Sequence, residues 1–263
     1  MYLLFDIGGT KMRIGVAENF KKISKTVILP TPKSFADGMA LFEKAAKELA
    51  SGKKIEAVAG GITGPLDKNK TMILNALNLR GWSKKPLVKE LKKIFKVPVF
   101  LENDAALAGL GEATFGAGVG KKIVAYLTVS TGVGGARIVN EKIDQNAFGF
   151  EPGHQIIFLN KEAITLENMV SGTAIEKKYG KKPYEIYDGK IWDKVAKNLA
   201  YGLHNVTVLW SPDIIILGGS VMKSLPVERV QYHLSKILKI FPKPPLIKKS
   251  KLGDLAGLHG ALA

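Results

Sequence analysis

Asn103 and Asp104 stand where an apolar stretch gives way to a segment rich in alanine and glycine. This order predicts a buried strand followed by a helix, with both side chains at the junction. A carboxylate there could accept the proton of a substrate hydroxyl while the neighbouring amide orients the substrate. The helix dipole would favour the ionised carboxylate. An aspartate at a helix start also suits a purely structural N-cap, which is the alternative for Asp104.

Two glycine-containing turns could bind a phosphate chain. The segment Asp6-Ile-Gly-Gly-Thr-Lys11 lies between apolar runs, and Ser130-Thr-Gly-Val-Gly-Gly135 repeats the arrangement later, with Gly8 aligned on Gly132. Each pattern predicts a β-hairpin whose turn presents backbone N–H groups to an anion, because glycine has no Cβ to block the approach. Two such turns could hold one polyphosphate from both sides. Ordinary hairpins whose glycines only supply a positive φ are the alternative.

Other polar residues could serve a nucleotide or a sugar. Asp6 ends the first strand, where its carboxylate could hold magnesium through water or simply cap the turn. A set of amide, carboxylate and imidazole groups from several loops suits a polyhydroxylated ligand, because each sugar hydroxyl donates and accepts hydrogen bonds. Its members are Asn78, Glu151, His154 and Glu167. The pair Gly218-Gly219 follows an apolar strand and could let adenosine approach the backbone, although a plain turn fits equally.

The elements that must position these residues form a repeated α/β pattern. Apolar spacing predicts helices and strands after the first hairpin, and the second hairpin begins a similar series. The predicted helices are 36–50, 86–95, 105–114, 166–178, 191–210 and 231–240, and the predicted strands beside the hairpins are 55–61, 97–101 and 213–217. Val195, Leu199, Leu203, Val206 and Leu209 are expected on one face of the long helix. The duplicated order predicts two α/β lobes with a cleft between them and a boundary near residues 103–120.

Composition indicates a globular protein with a sizeable core. The 263 residues are 46% hydrophobic and 24% charged, and the absence of cysteine excludes disulfides and thiolate metal sites. The net charge of +16 could attract an anionic small molecule. The lysines occur as scattered pairs without interleaved aromatic residues, so we expect no nucleic-acid partner. No apolar run is long enough to span a membrane, and we expect no membrane partner and a cytoplasmic location.

Taken together, these stretches resemble the ROK family of sugar kinases, glucokinase-like proteins of the actin, Hsp70 and hexokinase superfamily. The resemblance covers nearly the whole chain. Its motifs are Asp6-Ile-Gly-Gly-Thr-Lys11, Gly61-Ile-Thr-Gly-Pro65, Asn78-Leu-Arg-Gly-Trp82, Glu102-Asn-Asp-Ala105, Ser130-Thr-Gly-Val-Gly-Gly135, Glu151-Pro-Gly-His154, Glu167 before Ser171-Gly172, Leu217-Gly-Gly-Ser220 and Gly257-Leu-His-Gly-Ala261. It implies a two-lobed actin-like ATPase fold, similar to ribonuclease H, with a duplicated glycine-loop hairpin and a central cleft. Residues 1–110 with a helix at 252–263 would form the small lobe, and residues 111–251 the larger one.

The resemblance also implies roles for single residues. Asp104 would be the catalytic base acting on the 6-hydroxyl of a hexose, with ATP and Mg²⁺ as cofactors and Asp6 as the magnesium residue. The other implied contacts are Gly8, Gly9, Thr10, Lys11, Thr131, Gly132 and Gly134 for phosphate, Gly218 and Gly219 for adenosine, and Asn78, Asn103, Asp104, Glu151, His154 and Glu167 for the sugar. Glucose is the first candidate hexose, with N-acetylmannosamine, N-acetylglucosamine, fructose and allose as alternatives. A homodimer is expected.

One stretch departs from the family pattern. Family members commonly follow the Glu-Pro-Gly-His element with cysteines that bind a structural zinc together with the histidine, whereas residues 155–166 contain no cysteine. We therefore expect no zinc, and His154 must be positioned by packing or by hydrogen bonds. Two other functions stay open: a non-catalytic sensor of sugar or nucleotide, and a ROK repressor. A repressor would need a DNA-binding module ahead of the hairpin that begins at residue 3.

Overall fold

The computed structural model describes residues 1–76, 78–159 and 162–263. These residues divide into two compact units. Unit 1 contains Met1–Thr114, Gln145–Gly149 and Leu255–Ala263, and unit 2 contains Phe115–Asp144 and Phe150–Asp254. In the described ranges, no helix combines the length and apolar character that crossing a membrane requires.

Unit 1 is built on a five-stranded mixed sheet. Its strands are β1 (Tyr2–Ile7), β2 (Lys11–Ala17), β3 (Lys25–Pro30), β4 (Ala57–Ile62) and β5 (Val99–Asn103), in the order β3-β2-β1-β4-β5. The first three strands are antiparallel, whereas β4 and β5 run parallel to β1. Since β1, β4 and β5 share one direction, the residues that follow Ile7, Ile62 and Asn103 lie at the same edge of the sheet.

Three helices follow strands of this sheet. They are α1 (Phe35–Ala50), α2 (Leu87–Phe95) and α3 (Asp104–Phe115). Helix α1 begins where the side chain of Ser34 accepts the Asp37 N–H at 3.4 Å and ends at Ser51 in the left-handed conformation. Its apolar face packs on the sheet through Phe42, whose ring meets the ring of Phe5 edge to face.

Unit 2 repeats the layout of unit 1. Its five-stranded sheet contains β6 (Ile123–Val129), β7 (Val133–Val139), β8 (Lys142–Ile143), β11 (Ile214–Gly218) and β12 (Leu246–Lys249) in the order β12-β11-β6-β7-β8, and a separate two-stranded sheet contains β9 (Ile156–Leu159) and β10 (Ala163–Thr165). The antiparallel hairpin β6-β7 stands beside the parallel strands β11 and β12, as β1-β2 stands beside β4 and β5. The predicted duplication of a glycine hairpin within an α/β fold is therefore confirmed.

The helices of unit 2 correct two details of the sequence prediction. They are α4 (Glu167–Val170), α5 (Gly172–Tyr179), α6 (Gly189–Trp210) and α7 (Val227–Ile237), and the C-terminal α8 (Ala256–Leu262) packs on β1 and β4 of unit 1. The single helix predicted over 166–178 is wrong, because Ser171 is extended and caps α5 through the Ala174 N–H. Along α6 the predicted buried face ends at Val206, and Leu209 is 78% exposed.

Candidate functional site

Asp104 is the first residue of α3, at the sheet edge of unit 1. Its Oδ1 accepts the Ala105 N–H at 2.8 Å, and the hydroxyl of Thr63, which follows β4, donates to the same carboxylate. The cap of α3 comes from Asn103, whose Oδ1 accepts the Ala106 N–H at 3.1 Å. The side chain that caps α3 is therefore Asn103, and the alternative role of Asp104 as the helix N-cap is not needed.

Desolvation dominates the electrostatics of Asp104. Burial raises the pKa of this carboxyl, and the hydrogen bonds from Ala105 and Thr63 and the charge of Arg13 oppose the increase only in part. The helix dipole was expected to favour the ionised form, but the loss of solvation outweighs it. A carboxyl with a raised pKa binds a proton more strongly, which suits a general base.

Asp6, at the end of β1, is buried and paired with a cation. Its Oδ2 lies 3.2 Å from Nη1 of Arg13, the residue opposite it on β2. Among the described residues, no group of three His, Cys, Asp or Glu side chains could hold a metal. A magnesium ion bound to a nucleotide takes most of its oxygens from phosphate and water and needs only one or two carboxylates. A single carboxylate beside a glycine turn that is predicted to bind phosphate fits that requirement.

The first glycine turn leaves two N–H groups available to an anion. Gly8 donates to the Lys11 carbonyl at 2.9 Å, and Thr31 holds the turn from outside: its N–H donates to the Thr10 carbonyl at 3.0 Å and its hydroxyl to the Gly8 carbonyl at 2.7 Å. Within the described part of the chain, the N–H groups of Gly9 and Thr10 have no hydrogen-bond partner. Because the carbonyls are fixed, the peptide planes are oriented before any ligand binds.

The glycines of this turn are explained by close contact and not by backbone conformation. Neither Gly8 nor Gly9 has a positive φ. A Cβ on Gly9 would lie 2.8 Å from both Cβ and the carbonyl oxygen of Asn78, so only glycine admits this approach. The alternative in which these glycines merely supply positive φ is therefore wrong, and Asn78, a candidate sugar residue, lies beside the first turn.

The second turn, Ser130–Gly132, has the same properties. The Ser130 N–H donates to the Gly132 carbonyl at 2.8 Å, while Gly172 N–H and Thr173 Oγ1 donate to the carbonyls of Ser130 and Thr131 at 2.7 and 2.9 Å. As in the first turn, two N–H groups, those of Thr131 and Gly132, have no partner among the residues described. The first turn residue is Gly8 in one hairpin and Ser130 in the other, so the sequence alignment of Gly8 with Gly132 does not match the hairpin positions.

Three candidate sugar residues of unit 2 surround the start of β7. The Val133 N–H donates to Glu167 Oε2 at 2.7 Å. A short 3₁₀ helix, Pro152–His154, packs so closely on β7 that a Cβ on Gly153 would lie 2.1 Å from the Val133 carbonyl oxygen. This packing presents Glu151 and His154 as exposed side chains on either side of the buried pair Pro152-Gly153. The packing of Gly153 on β7 thus positions the short helix that carries His154.

The pair Gly218-Gly219 has a structural explanation. A Cβ on Gly218 would lie 2.4 Å from the Tyr126 hydroxyl, and Gly219 has φ of 93° and packs on the Val129 carbonyl. Ser220 Oγ then lies 3.1 Å from Ser130 Oγ, beside the second turn. The adenosine contact of these glycines stays a prediction.

Several residues beside the site were not assigned a role from the sequence. Thr63 and Arg13 act on Asp104, and Thr31 and Thr173 hold the two turns. Thr63 follows β4 next to the end of β5, and the parallel pairing of these strands was the signal that could have located it. Thr31 and Thr173 are distant in sequence from the turns they hold, and no local pattern marks them.

Known proteins resemble the chain along its whole length. The family model described as "ROK family" matches residues 2–263. The crystal structure of a ROK hexokinase from Thermus thermophilus superposes with a TM-score of 0.86 at 29% identity, covering 99% of this chain and 96% of that one. A ROK family glucokinase from Streptomyces griseus, crystallised with glucose and AMPPNP, gives 0.83 at 27% identity, with 99% and 98% covered. A fructokinase from Lactococcus lactis subsp. cremoris is 29% identical over 239 residues, 84% of this chain and 79% of the relative. The predicted ROK-type α/β fold is confirmed.

Proposed function

The chain belongs to the ROK family, and we propose that it is an ATP-dependent hexokinase that phosphorylates the 6-hydroxyl of a hexose. The observation that carries the proposal is the carboxyl of Asp104, held at the sheet edge of unit 1 with a raised pKa. The S. griseus relative, crystallised with glucose and a non-hydrolysable ATP analogue, supports the substrate classes.

In this mechanism the chain positions its reactants and neutralises charge. Asp104 takes the proton of the 6-hydroxyl as the oxygen attacks the γ-phosphorus, and ADP leaves. The N–H groups of Gly9, Thr10, Thr131 and Gly132, which have no partner within the described ranges, would bind phosphate oxygens, together with Gly8, Lys11 and Gly134. When bound, Mg²⁺ would neutralise phosphate charge, with Asp6 holding it through water. Gly218 and Gly219 would contact adenosine.

The sugar would bind to Asn78, Asn103, Asp104, Glu151, His154 and Glu167. The Oδ1 of Asn103 caps α3 and its Nδ2 donates to the Gly64 carbonyl at 3.3 Å, so the side chain is held in one orientation. Glucose is the first candidate hexose, and the fructokinase relative makes fructose the second. We also propose a cytoplasmic homodimer.

The test is ADP release from ATP and Mg²⁺ with glucose, fructose, allose, N-acetylglucosamine and N-acetylmannosamine. We expect one of these hexoses to stimulate ADP release strongly. Its 6-deoxy analogue, which lacks the attacking hydroxyl, should give none. No stimulation by any hexose, despite measurable ATP binding, would instead support the sensor, and equal turnover with the 6-deoxy sugar would contradict transfer to the 6-hydroxyl. Light scattering of the purified chain tests the homodimer.

A further inference from the structure

Glu167 touches the phosphate-binding turn as well as lying among the candidate sugar residues. Its Oε2 accepts the Val133 N–H at 2.7 Å, at the residue where the turn passes into β7. A Cβ on Gly132 would lie 2.6 Å from the same oxygen, so glycine at this position leaves room for the carboxylate in the orientation seen here. The Glu167 carboxylate therefore lies against two neighbouring residues, Gly132 and Val133, at the end of the second turn.

The rest of the segment that carries Glu167 also holds this turn. After the four residues of α4, the chain breaks at Ser171 and begins α5 with Gly172 and Thr173. These two residues donate to the carbonyls of Ser130 and Thr131, as described above. Residues 167–173 thus bind two carbonyls of the second turn and the N–H of Val133, which follows it. Among the described residues they leave the N–H groups of Thr131 and Gly132 available.

We propose that Glu167 is a positioning residue for phosphate binding, through its hydrogen bond to the Val133 N–H; the proposal rests on the proposed function. Fixing Val133 sets where the turn ends and therefore the direction of the two available N–H groups. The carboxylate charge itself does not help, because a second negative charge repels phosphate. What the turn needs from Glu167 is an acceptor oxygen, which a glutamine also provides.

The experiment compares ATP binding to the full chain without sugar, by calorimetry, in wild type, Glu167→Ala and Glu167→Gln. We expect Glu167→Ala to weaken ATP binding about tenfold, because the Val133 N–H loses its partner. Glu167→Gln should bind at least as tightly as wild type. Glu162→Ala removes an exposed carboxylate that lies before β10 and outside residues 167–173, and it serves as the control, with unchanged binding. Thr173→Val removes a hydroxyl donor to the turn and should also weaken binding, which keeps the proposal testable if Glu167→Ala does not fold.

ATP binding to Glu167→Ala equal to wild type would overturn the proposal, as would a glutamine variant as weak as the alanine one. Hydrogen exchange of the Val133 amide, read by NMR without ligand, gives an independent result. Faster exchange in Glu167→Ala supports the contact, and unchanged exchange overturns it. If the wild type binds no ATP, the proposed function fails, while the exchange measurement still decides whether Glu167 holds the Val133 N–H.

Discussion

At Asp104, desolvation and hydrogen bonding act on one carboxyl in opposite directions. Burial raises its pKa, and the donors Ala105 and Thr63 and the nearby Arg13 reverse only part of the effect. An acid whose pKa is higher in the folded chain than in the unfolded one costs stability once it ionises. The fold therefore carries a penalty at the residue to which we assign the chemistry, a pattern seen where stability is given up for activity.

This penalty predicts that Asp104→Asn raises the free energy of unfolding at neutral pH. The cost in the wild type is absent below the unfolded pKa of about 3.9 and complete above the raised folded pKa. The advantage of the variant should therefore shrink as the pH falls through that window. Urea unfolding at several pH values measures it. An Asp104→Asn chain that is less stable than wild type at pH 7 would contradict this account.

Asp67 provides a control, because the fold lowers the pKa of its carboxyl whereas it raises the pKa of Asp104. Burial raises the pKa of the Asp67 carboxyl, but hydrogen bonds from the Met72 N–H at 2.7 Å and from Thr71 outweigh this and lower it. We expect Asp67→Asn to reduce stability at neutral pH. The loss should fade as the pH falls from about 3.9, where the unfolded carboxyl takes up a proton, through the lower pKa of the folded carboxyl. The two variants should thus move the stability in opposite directions under one assay.

Sequence reasoning located single residues better than it explained them. It placed Asn103 and Asp104 at a strand-to-helix junction, because a change from apolar to small residues marks such a point. It could not tell which of the two caps the helix, since that depends on a side-chain rotamer. It also read Gly9 and Gly132 as turn glycines. The structure shows that Gly9 packs against the backbone of Asn78 and that Gly132 lies against the Glu167 carboxylate, and both partners are distant in sequence.

At the scale of elements, glycines let α3 and α8 approach backbone to backbone. A Cβ on Gly260 would lie 1.8 Å from the Leu107 carbonyl oxygen, and one on Gly111 would lie 2.3 Å from the Ala256 carbonyl oxygen. In turn, Gly257 of α8 packs on the carboxylate of Asp6, where a Cβ would lie 2.9 Å from Cγ. The C-terminal helix therefore buttresses both the helix that begins with Asp104 and the strand that ends near Asp6.

We predict that Gly260→Ala destabilises the chain by about 1–3 kcal/mol, because a methyl group cannot fit against the Leu107 backbone without separating the helices. Gly189→Ala is the control, since a Cβ at this first residue of α6 meets nothing within 4 Å. Its urea midpoint should stay at the wild-type value. Equal midpoints for Gly260→Ala and wild type would show that the two helices do not pack as described.

The elements that sequence periodicity predicted well are those with a long, one-sided apolar pattern. Helix α1 and strand β4 lie within two residues of their predicted bounds, since each buries a continuous face. The predicted helix over 166–178 failed because the Ser171 break serves a tertiary contact, the bond from Gly172 to the second turn. Strand β3 was not predicted, because only its pairing with β2 distinguishes its short pattern from a loop.

At the scale of the whole molecule, two sheets of one topology each place a glycine turn between a central pair of antiparallel strands. The sequence signal for this duplication was the repeated turn, whereas the actin-like fold class was predicted from the resemblance to the ROK family. The exact register was not predictable, because the two turns differ in how their glycines are placed relative to the strand ends.

Net charge makes a prediction for the whole chain. With +16 at neutral pH, the protein attracts a polyanion more than a neutral sugar, and salt screens that attraction. Raising NaCl from about 20 mM to about 300 mM should therefore raise the KM for ATP several-fold and leave the KM for the hexose nearly unchanged. Steady-state kinetics with each substrate varied separately measures both values. A hexose KM that rises as much as the ATP KM would contradict the electrostatic explanation.

The most direct test of the account is the rate of hexose 6-phosphate formation by Asp104→Asn beside wild type, at saturating ATP and sugar. Binding of AMPPNP, measured in parallel, controls for an intact nucleotide site. We predict unchanged AMPPNP binding and a rate at least about 100-fold lower, because the variant has no base for the 6-hydroxyl proton. A rate within a few-fold of wild type, from a variant that binds AMPPNP normally, would show that Asp104 is not the base.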